Sequence, residues 1–417
     1  MSSNFRYAHL ADLHLGSWRD PKIRDLSTKA FLQAIDNCIA QQVDFILFAG
    51  DLFNTSLPSL DILKIVTKQL KTLQDHNIPL YVIPGSHDFS PSGKTMIDVL
   101  ENAGLLKNVC KGTINPDTKE LHLKITIDEK TKAKLTGILG KRGLLDKIYY
   151  ENLNLQNLET EPGYKIFMFH TTVTELLPTK LAMIESQPLS VFPKNFNYYA
   201  GGHIHHPTIL RTESHPLVTY TGALFPNNFQ ELDEYSHGGY YIITVDSSST
   251  STPTQTIEFI PLKVINHISF SLNCTTKSPE IILYETLQHF QNQDLSNTII
   301  TLKFHGTLTH GKVSDINFNE ITTKLTEQNA YAILKNTNKL IAEQFEEIKL
   351  ANHNPETIEH ELIQEHLGQF QLFDKQTELH LITSLIQTLN TSKREGETLP
   401  DFHTRIETET KRILNMS

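Results

Sequence analysis

Cysteine is scarce and scattered. Cys38, Cys110 and Cys274 stand alone among 417 residues, without a CxxC pair. An odd set of isolated thiols argues against a disulfide framework and suits a reducing cytosol. No apolar run approaches the ~20 residues of a membrane-crossing helix, and the longest, around Phe45–Ala49, has the length of a strand. Met1–Asn4 shows no basic stretch leading into an apolar one, so no secretory signal is expected. Glycine (19) and proline (18) are too few, and hydrophobic residues at 39% too many, for a collagen-like or disordered chain. These absences leave an intracellular, cytoplasmic protein without a membrane partner. At roughly 150 residues per domain it has two or three domains.

Positive charge is also short. The net charge is −10, which taken alone argues against a nucleic-acid partner. The charge is unevenly spread, however, because residues 343–417 hold 14 acids and 7 bases. Within Lys107–Lys147 the sign reverses to ten bases against five acids, a run that either tracks phosphates or is an ordinary solvated hairpin. Histidine, by contrast, is abundant: 20 residues, about twice an average share.

Through about residue 260, short β-rich runs alternate with helical periodicity, the pattern of a layered α/β domain. Strands are expected at Phe5–Ala11, Asp44–Ala49, Leu80–Pro84, Lys165–Phe169 and Tyr198–Gly201. Helices are expected at Arg24–Gln41 and Leu60–Gln74. Leu217–Leu262 reads as successive strands of a second, antiparallel-rich sheet, with Ser247–Thr254 as a turn between two of them. The pattern then restarts, so the expected divisions are 1–262, a small α+β domain at 263–342, and a helical tail at 343–417. In that tail Ile382, Leu385, Ile386 and Leu389 share one face.

Five strands end by delivering Asp, His or Gly: Ala11-Asp12-Leu13-His14, Ala49-Gly50-Asp51, Pro84-Gly85-Ser86-His87-Asp88, Phe169-His170 and Gly202-His203-Ile204-His205. Ligands collect at the carboxyl ends of strands in α/β sheets, so the five are expected to converge. The i, i+2 spacing of Asp12 with His14, and of His203 with His205, puts each pair on one side of an extended backbone. Such a mixed carboxylate and imidazole set is too large for one tetrahedral zinc. It suits two divalent cations sharing a carboxylate, with Mn²⁺ favoured. Two metals roughly 3.5–4 Å apart clamp a phosphate and supply hydroxide at neutral pH, the requirements of phosphate ester hydrolysis.

These blocks resemble the signature motifs of the calcineurin-like metallophosphoesterase superfamily. Leu10–Gly16, Gly50–Phe53 and Gly202–His205, with Tyr220–Ala223 and the Gly-Gly-Tyr-Tyr at 238–241, are similar to the SbcD-like nucleases. The resemblance covers about the first 260 residues. It implies a four-layer α/β sandwich of two mixed sheets flanked by helices, followed by an α+β capping domain and a helical tail. It implies further that Asp12, His14, Asp51 and His205 hold one metal, and that Asp51, His170, His203 and the residue at 86 hold the other. His87 would face the phosphate as general acid or transition-state partner. Asp88 would steady that loop or assist catalysis. The implied partners are DNA, the coiled coil of an SMC-like ATPase docked on the tail, and a second copy of the chain.

Two positions depart from the family pattern. Ser86 stands where an asparagine is usual, and Asn54 where relatives often carry a histidine that helps place a DNA end. The first predicts a weakened second metal, because a hydroxyl is shorter than an amide. Rival readings are a phosphodiesterase for small nucleotides and a catalytically decayed scaffold. Ser90–Thr95 ends like a phosphate-binding loop but lacks its first glycine, so Ser92 or Thr95 is read as a helix cap. His206 is read as peripheral and Trp18 as packed.

Overall fold

The computed structural model describes residues 4–89, 93–181, 183–246, 253–342, 363, 374–394 and 397–414. Strand β1 (Phe5–Leu10) leads to helix α1 (Pro21–Ala40), then β2 (Phe45–Ala49), α2 (Leu60–Asp75), β3 (Leu80–Ile83), α3 (Met96–Asn102) and the short β4 (Lys107–Asn108). Helix α1 starts at Pro21 rather than Arg24, because Asp20 caps it by accepting from the Lys22 N–H and Pro21 sits where a missing N–H is harmless. Thr95 caps α3 in a reciprocal box with Asp98, as the helix-cap reading expects, while Ser90–Ser92 lie outside the described residues.

Next come the hairpin β5 (Gly112–Ile114) and β6 (Leu121–Leu123), then β7 (Thr126–Ile127), β8 (Lys134–Ile138), β9 (Lys165–His170), β10 (Tyr198–Gly202), β11 (Thr208–Leu210) and β12 (Val218–Tyr220). Helix α4 (Phe229–Tyr235), β13 (Gly238–Asp246) and β14 (Thr254–Leu262) follow. They form two six-stranded sheets, ordered β14-β13-β1-β2-β3-β4 and β11-β12-β10-β9-β8-β7.

The strands of Leu217–Leu262 do not form one sheet, contrary to the expectation. Strand β12 joins the second sheet parallel to β10, whereas β13 returns to the first sheet antiparallel to β1, with β14 on its outer side. The reason lies in burial. Both faces of β13 are apolar, so it needs a covered position inside a layered stack.

Alternation along the strands sorts side chains into three cores. Ala8, Leu10, Ile46, Phe48, Val82 and Ile242 meet α1 and α2. Tyr7, Phe45, Leu47, Tyr81 and Ile243 face the other way, onto Ile166, Met168, Tyr198 and Ala200 of the second sheet. Phe167, Phe169, Tyr199 and Tyr220 line the outer face of that sheet. Helix, sheet, sheet and outer cover are the four layers of the expected sandwich.

One histidine is sealed between the sheets. His9 is fully buried, its Nδ1 2.8 Å from the Tyr198 hydroxyl, and burial lowers its pKa to about 3. The unfolded chain binds this proton near the ordinary value of 6.5, so His9 supports the fold above pH 6.5 and ceases to as the pH falls through the window from 6.5 toward 3. Within it, one proton corresponds to about 1.4 kcal/mol per pH unit. Urea unfolding at pH 7 and pH 5 should therefore give His9→Gln a flatter acid limb than wild type, and equal slopes would contradict this account.

Beyond β14, strands β15 (Asn266–Asn273), β16 (Thr298–Leu308) and β17 (Ala332–Ala342) form a three-stranded sheet with helices α5 (Pro279–Phe290) and α6 (Phe318–Glu327). Ile282, Phe290, Leu302, Phe304, Ile321 and Leu325 are its core. Met1–Leu340 make one compact unit and Ile341–Ser417 another. In the second unit, α7 (Lys375–Leu389) packs against α8 (Leu399–Ile413), leaving Leu389 exposed. Among the described residues no helix is long and apolar enough to cross a membrane.

Candidate metal centre

The five strand-end segments do converge. The loop after β1 is tied to the loop after β2 by backbone bonds from Asp12 N to Gly50 O (3.1 Å), His14 N to Asp51 O (3.0 Å) and Leu15 N to Leu52 O (3.2 Å). Asp12, His14, Asp51 and His203 all adopt left-handed backbone, with φ of 51°, 41°, 53° and 95°. Each such residue costs on the order of 1–3 kcal/mol, strain that accumulates at functional sites. The extended-backbone argument for the i, i+2 pairs is therefore replaced by sharp turns, and His203 and His205 end in different clusters. Gly50 is obligatory here: its φ is +88°, and a Cβ would lie 2.2 Å from the His170 ring.

Two clusters share a wall. Asp12, His14 and His205 offer ligand atoms within 4.8 Å of one another, and so do Asp51, His170 and His203. Asp51 lies between them, its Oδ2 3.5 Å from His14 Nε2 and 3.2 Å from His170 Nε2. His205 Nε2 is 3.2 Å from His14 Nε2 and 3.7 Å from Asp12 Oδ1. His14, Asp51 and His87 make a third, overlapping group, so the His87 ring borders the pair.

The donor set fits cations. His170 Nδ1 bonds the Ala49 carbonyl at 2.8 Å, so Nδ1 carries the hydrogen and Nε2 is left buried without a hydrogen-bond partner. Its lone pair faces the Asp51 carboxylate, and two acceptors at that distance call for a positive charge between them. Without a cation, protons take the part. Burial opposes charge on His170, but Asp51 outweighs it and pushes the pKa to about 10. His205, also against burial, is raised to about 9 by Glu231 and Asp12. His14 and His203 are held low by burial, His203 to about 3, which keeps their rings neutral as ligands require.

The remaining sequence candidates sit on the same loops. Ser86 Oγ donates to Asp51 Oδ2 at 3.4 Å. The His87 N–H donates to Asp51 Oδ1 at 2.7 Å, and its ring Nδ1 donates to the Asn54 carbonyl at 2.8 Å. Asn54 thus meets His87 through its backbone, a contact any residue there could make. Asp88 is buried and accepts from the N–H groups of Gly85 (2.8 Å), Asp51 (3.0 Å) and Phe53 (3.3 Å), fastening two loops together. Burial and the Asp51 charge push its pKa up to about 7.

His206 is half-buried and bonds Tyr235, away from the clusters. Trp18 packs on the first core and donates to the Pro226 carbonyl. In the basic run, Lys107, Lys111, Lys130, Lys134 and Lys147 face Glu129, Glu101, Asp44, Glu161 and Glu151, as a solvated hairpin would. Lys141 and Arg142 instead line an open cleft of about 580 Å³ beside Ser86 and His87. Sequence reading missed Glu231, whose Oε1 is 2.9 Å from His205 Nδ1. Its only signal was Asn228-x-x-Glu231, the spacing of a helix cap.

Similarity to known proteins agrees with this geometry. The chain is 27% identical over 243 residues to the DNA double-strand break repair protein Mre11 of Methanococcus maripaludis, covering 56% of this chain and 61% of that one. It is 28% identical over 225 residues to the Archaeoglobus fulgidus protein of the same name, covering 52% and 50%. To the uncharacterized metallophosphoesterase YhaO of Bacillus subtilis it is 26% identical over 267 residues, covering 60% of each. The aligned stretch thus spans between half and two thirds of these relatives. The resemblance to SbcD-like nucleases read from the motifs is met by this likeness. Residues 5–207, which contain both clusters, match the family described as calcineurin-like phosphoesterase, and the chain carries a domain of that family.

Proposed function

We propose that the protein is a Mn²⁺-dependent DNA nuclease that hydrolyses phosphodiester bonds in double-strand-break repair and end processing. The observation that carries the reading is Asp51, a buried carboxylate wedged between two imidazole-bearing clusters. Asp12, His14, Asp51 and His205 would hold one divalent cation, and Asp51, His170 and His203, with Ser86 alongside, the other. When bound, the two cations neutralise phosphate charge and lower the pKa of water to near neutrality. The chain's own residues do the rest. Asp51 fixes the spacing of the clusters, and its Oδ1 also holds the His87 backbone. With Nδ1 donating to Asn54, His87 presents Nε2 for proton exchange with the phosphate or the leaving oxygen. Lys141 and Arg142 give the adjacent cleft the positive charge a phosphodiester needs.

The names of the archaeal relatives support DNA as substrate and an intracellular setting. In this reading residues 263–342 cap the site and contact DNA. Residues 343–417 dock on an SMC-like ATPase by a helix-in-groove contact through the Ile382–Leu389 face, and two copies pair.

The test incubates labelled single- and double-stranded DNA with Mn²⁺ or Mg²⁺ beside a generic aryl phosphodiester. Cleavage of DNA that weakens steeply with salt is expected. Cleavage of the aryl ester with DNA left intact would overturn the DNA assignment. Ser86→Asn, which puts an amide oxygen within reach of the second cluster, should tighten Mn²⁺ there by about tenfold. Unchanged titration isotherms would show that the serine is no handicap.

A further inference from the structure

We propose that Glu231 is the positioning residue for His205, and that Asp233, on the opposite side of the same helix, makes that positioning depend on the β15–β17 sheet. The proposal rests on the metal role given to His205 and adds how this ligand is held and what holds the holder.

Glu231 lies on α4. Its Oε1 accepts from His205 Nδ1 at 2.9 Å, so the hydrogen sits on Nδ1 and the Nε2 lone pair turns toward Asp12 and His14. A carboxylate behind a ligating imidazole both selects the tautomer and strengthens the donor. Glu231 has little freedom of its own. Oε2 accepts from the Asn227 N–H at 2.8 Å, Oε1 from the Asn228 amide at 2.5 Å, and Asn228 caps the helix by accepting from Glu231 N at 3.0 Å. The same turn is moored beside the other ligand. Ser17 donates to the Asn227 side chain at 3.1 Å and Trp18 to the Pro226 carbonyl at 2.8 Å, both just past His14.

Two residues along a helix are about 200° apart, so Asp233 points the other way. Its carboxylate takes donors from Ser269 (2.6 Å), Thr301 (3.1 Å) and Lys303 (2.6 Å), all on β15 and β16. His267 of β15 adds a bond to Ser236, which closes the helix at 3.0 Å. A helix of seven residues fastened at both faces by charge-assisted bonds has no slack. A shift of the sheet is therefore felt at Glu231, and through it at His205.

The test titrates Mn²⁺ calorimetrically into the metal-free full-length protein, with thermal unfolding in chelator as the folding control. Glu231→Ala should weaken one of two sites by about 10–100-fold, and Glu231→Gln, which keeps an acceptor oxygen, should recover much of it. Asp233→Ala touches no ligand, yet it should weaken the same site by about 2- to 30-fold, the range of coupling through a packed element. Wild-type affinity at both sites in Glu231→Ala would overturn the proposal. A loss in Glu231→Ala with none in Asp233→Ala would overturn the dependence on the sheet. Failure of the nuclease reading looks different: wild type would bind two Mn²⁺ ions and leave DNA uncut.

Discussion

Asp51→Asn should abolish phosphoester hydrolysis, with a loss of about 10³-fold or more, the scale on which a preorganised electrostatic group acts. Asp51 sets one carboxylate oxygen against an imidazole of each cluster. Oδ2 looks toward His14 on one side and His170 on the other, and Oδ1 holds the His87 backbone. An amide keeps the shape and removes the charge. Two cations held on either side of Asp51 would repel each other, and its carboxylate would offset that repulsion. Calorimetry should accordingly show fewer than two Mn²⁺ bound with wild-type affinity, and the aryl phosphodiester should be turned over at background rate. Activity within tenfold of wild type would remove the bridging carboxylate from the account, and with it the joint site.

His87→Ala should separate chemistry from metal binding. The ring borders His14 with centroids 4.8 Å apart, and its Nδ1 is committed to the Asn54 carbonyl. Its loss should lower kcat by about 10²–10⁴-fold, the range of a positioned proton-transfer group. Both Mn²⁺ ions should still bind, because Asp12, His14, Asp51, His170, His203 and His205 are untouched. Stability should change little, since the loop is fastened by Asp88 through three backbone N–H groups rather than by the imidazole. A variant that loses a metal together with activity would recast His87 as a ligand.

These two variants act on residues that were visible in the chain before any fold was known. Strand-end Asp, His and Gly stood out because an apolar run ending abruptly in such residues is chemically unusual, and the family pattern assigned them roles. The strands themselves were legible from short β-rich runs, and α2 from its apolar spacing. Helix α1 was misplaced at its start because Asp20-Pro21, a cap followed by a permitted proline, lies upstream of the periodic residues. The regrouping of β13 and β14 was not legible either, since alternation reports how many faces are buried and not which strand lies alongside.

Within the site, the same division holds residue by residue. Asp12 and His14 were expected to converge by extended geometry, yet they do so through left-handed turns held by the Gly50 and Asp51 carbonyls. Asn54 meets His87 through its backbone carbonyl, not through the side chain that departs from the family pattern. Glu231 carried no mark beyond helix-cap spacing, because its importance comes from His205, 26 residues away in sequence.

Chain order and residue type alone determined which atoms were available as ligands, and that they would arrive at the ends of strands. That information is local: it is written in the apolar run and in the few residues that follow it. Only tertiary structure decided which loops strain to bring those atoms together, and that a carboxylate on α4 stands behind one of them. Those facts depend on how distant segments are stacked and turned, which no pattern of neighbouring residues encodes.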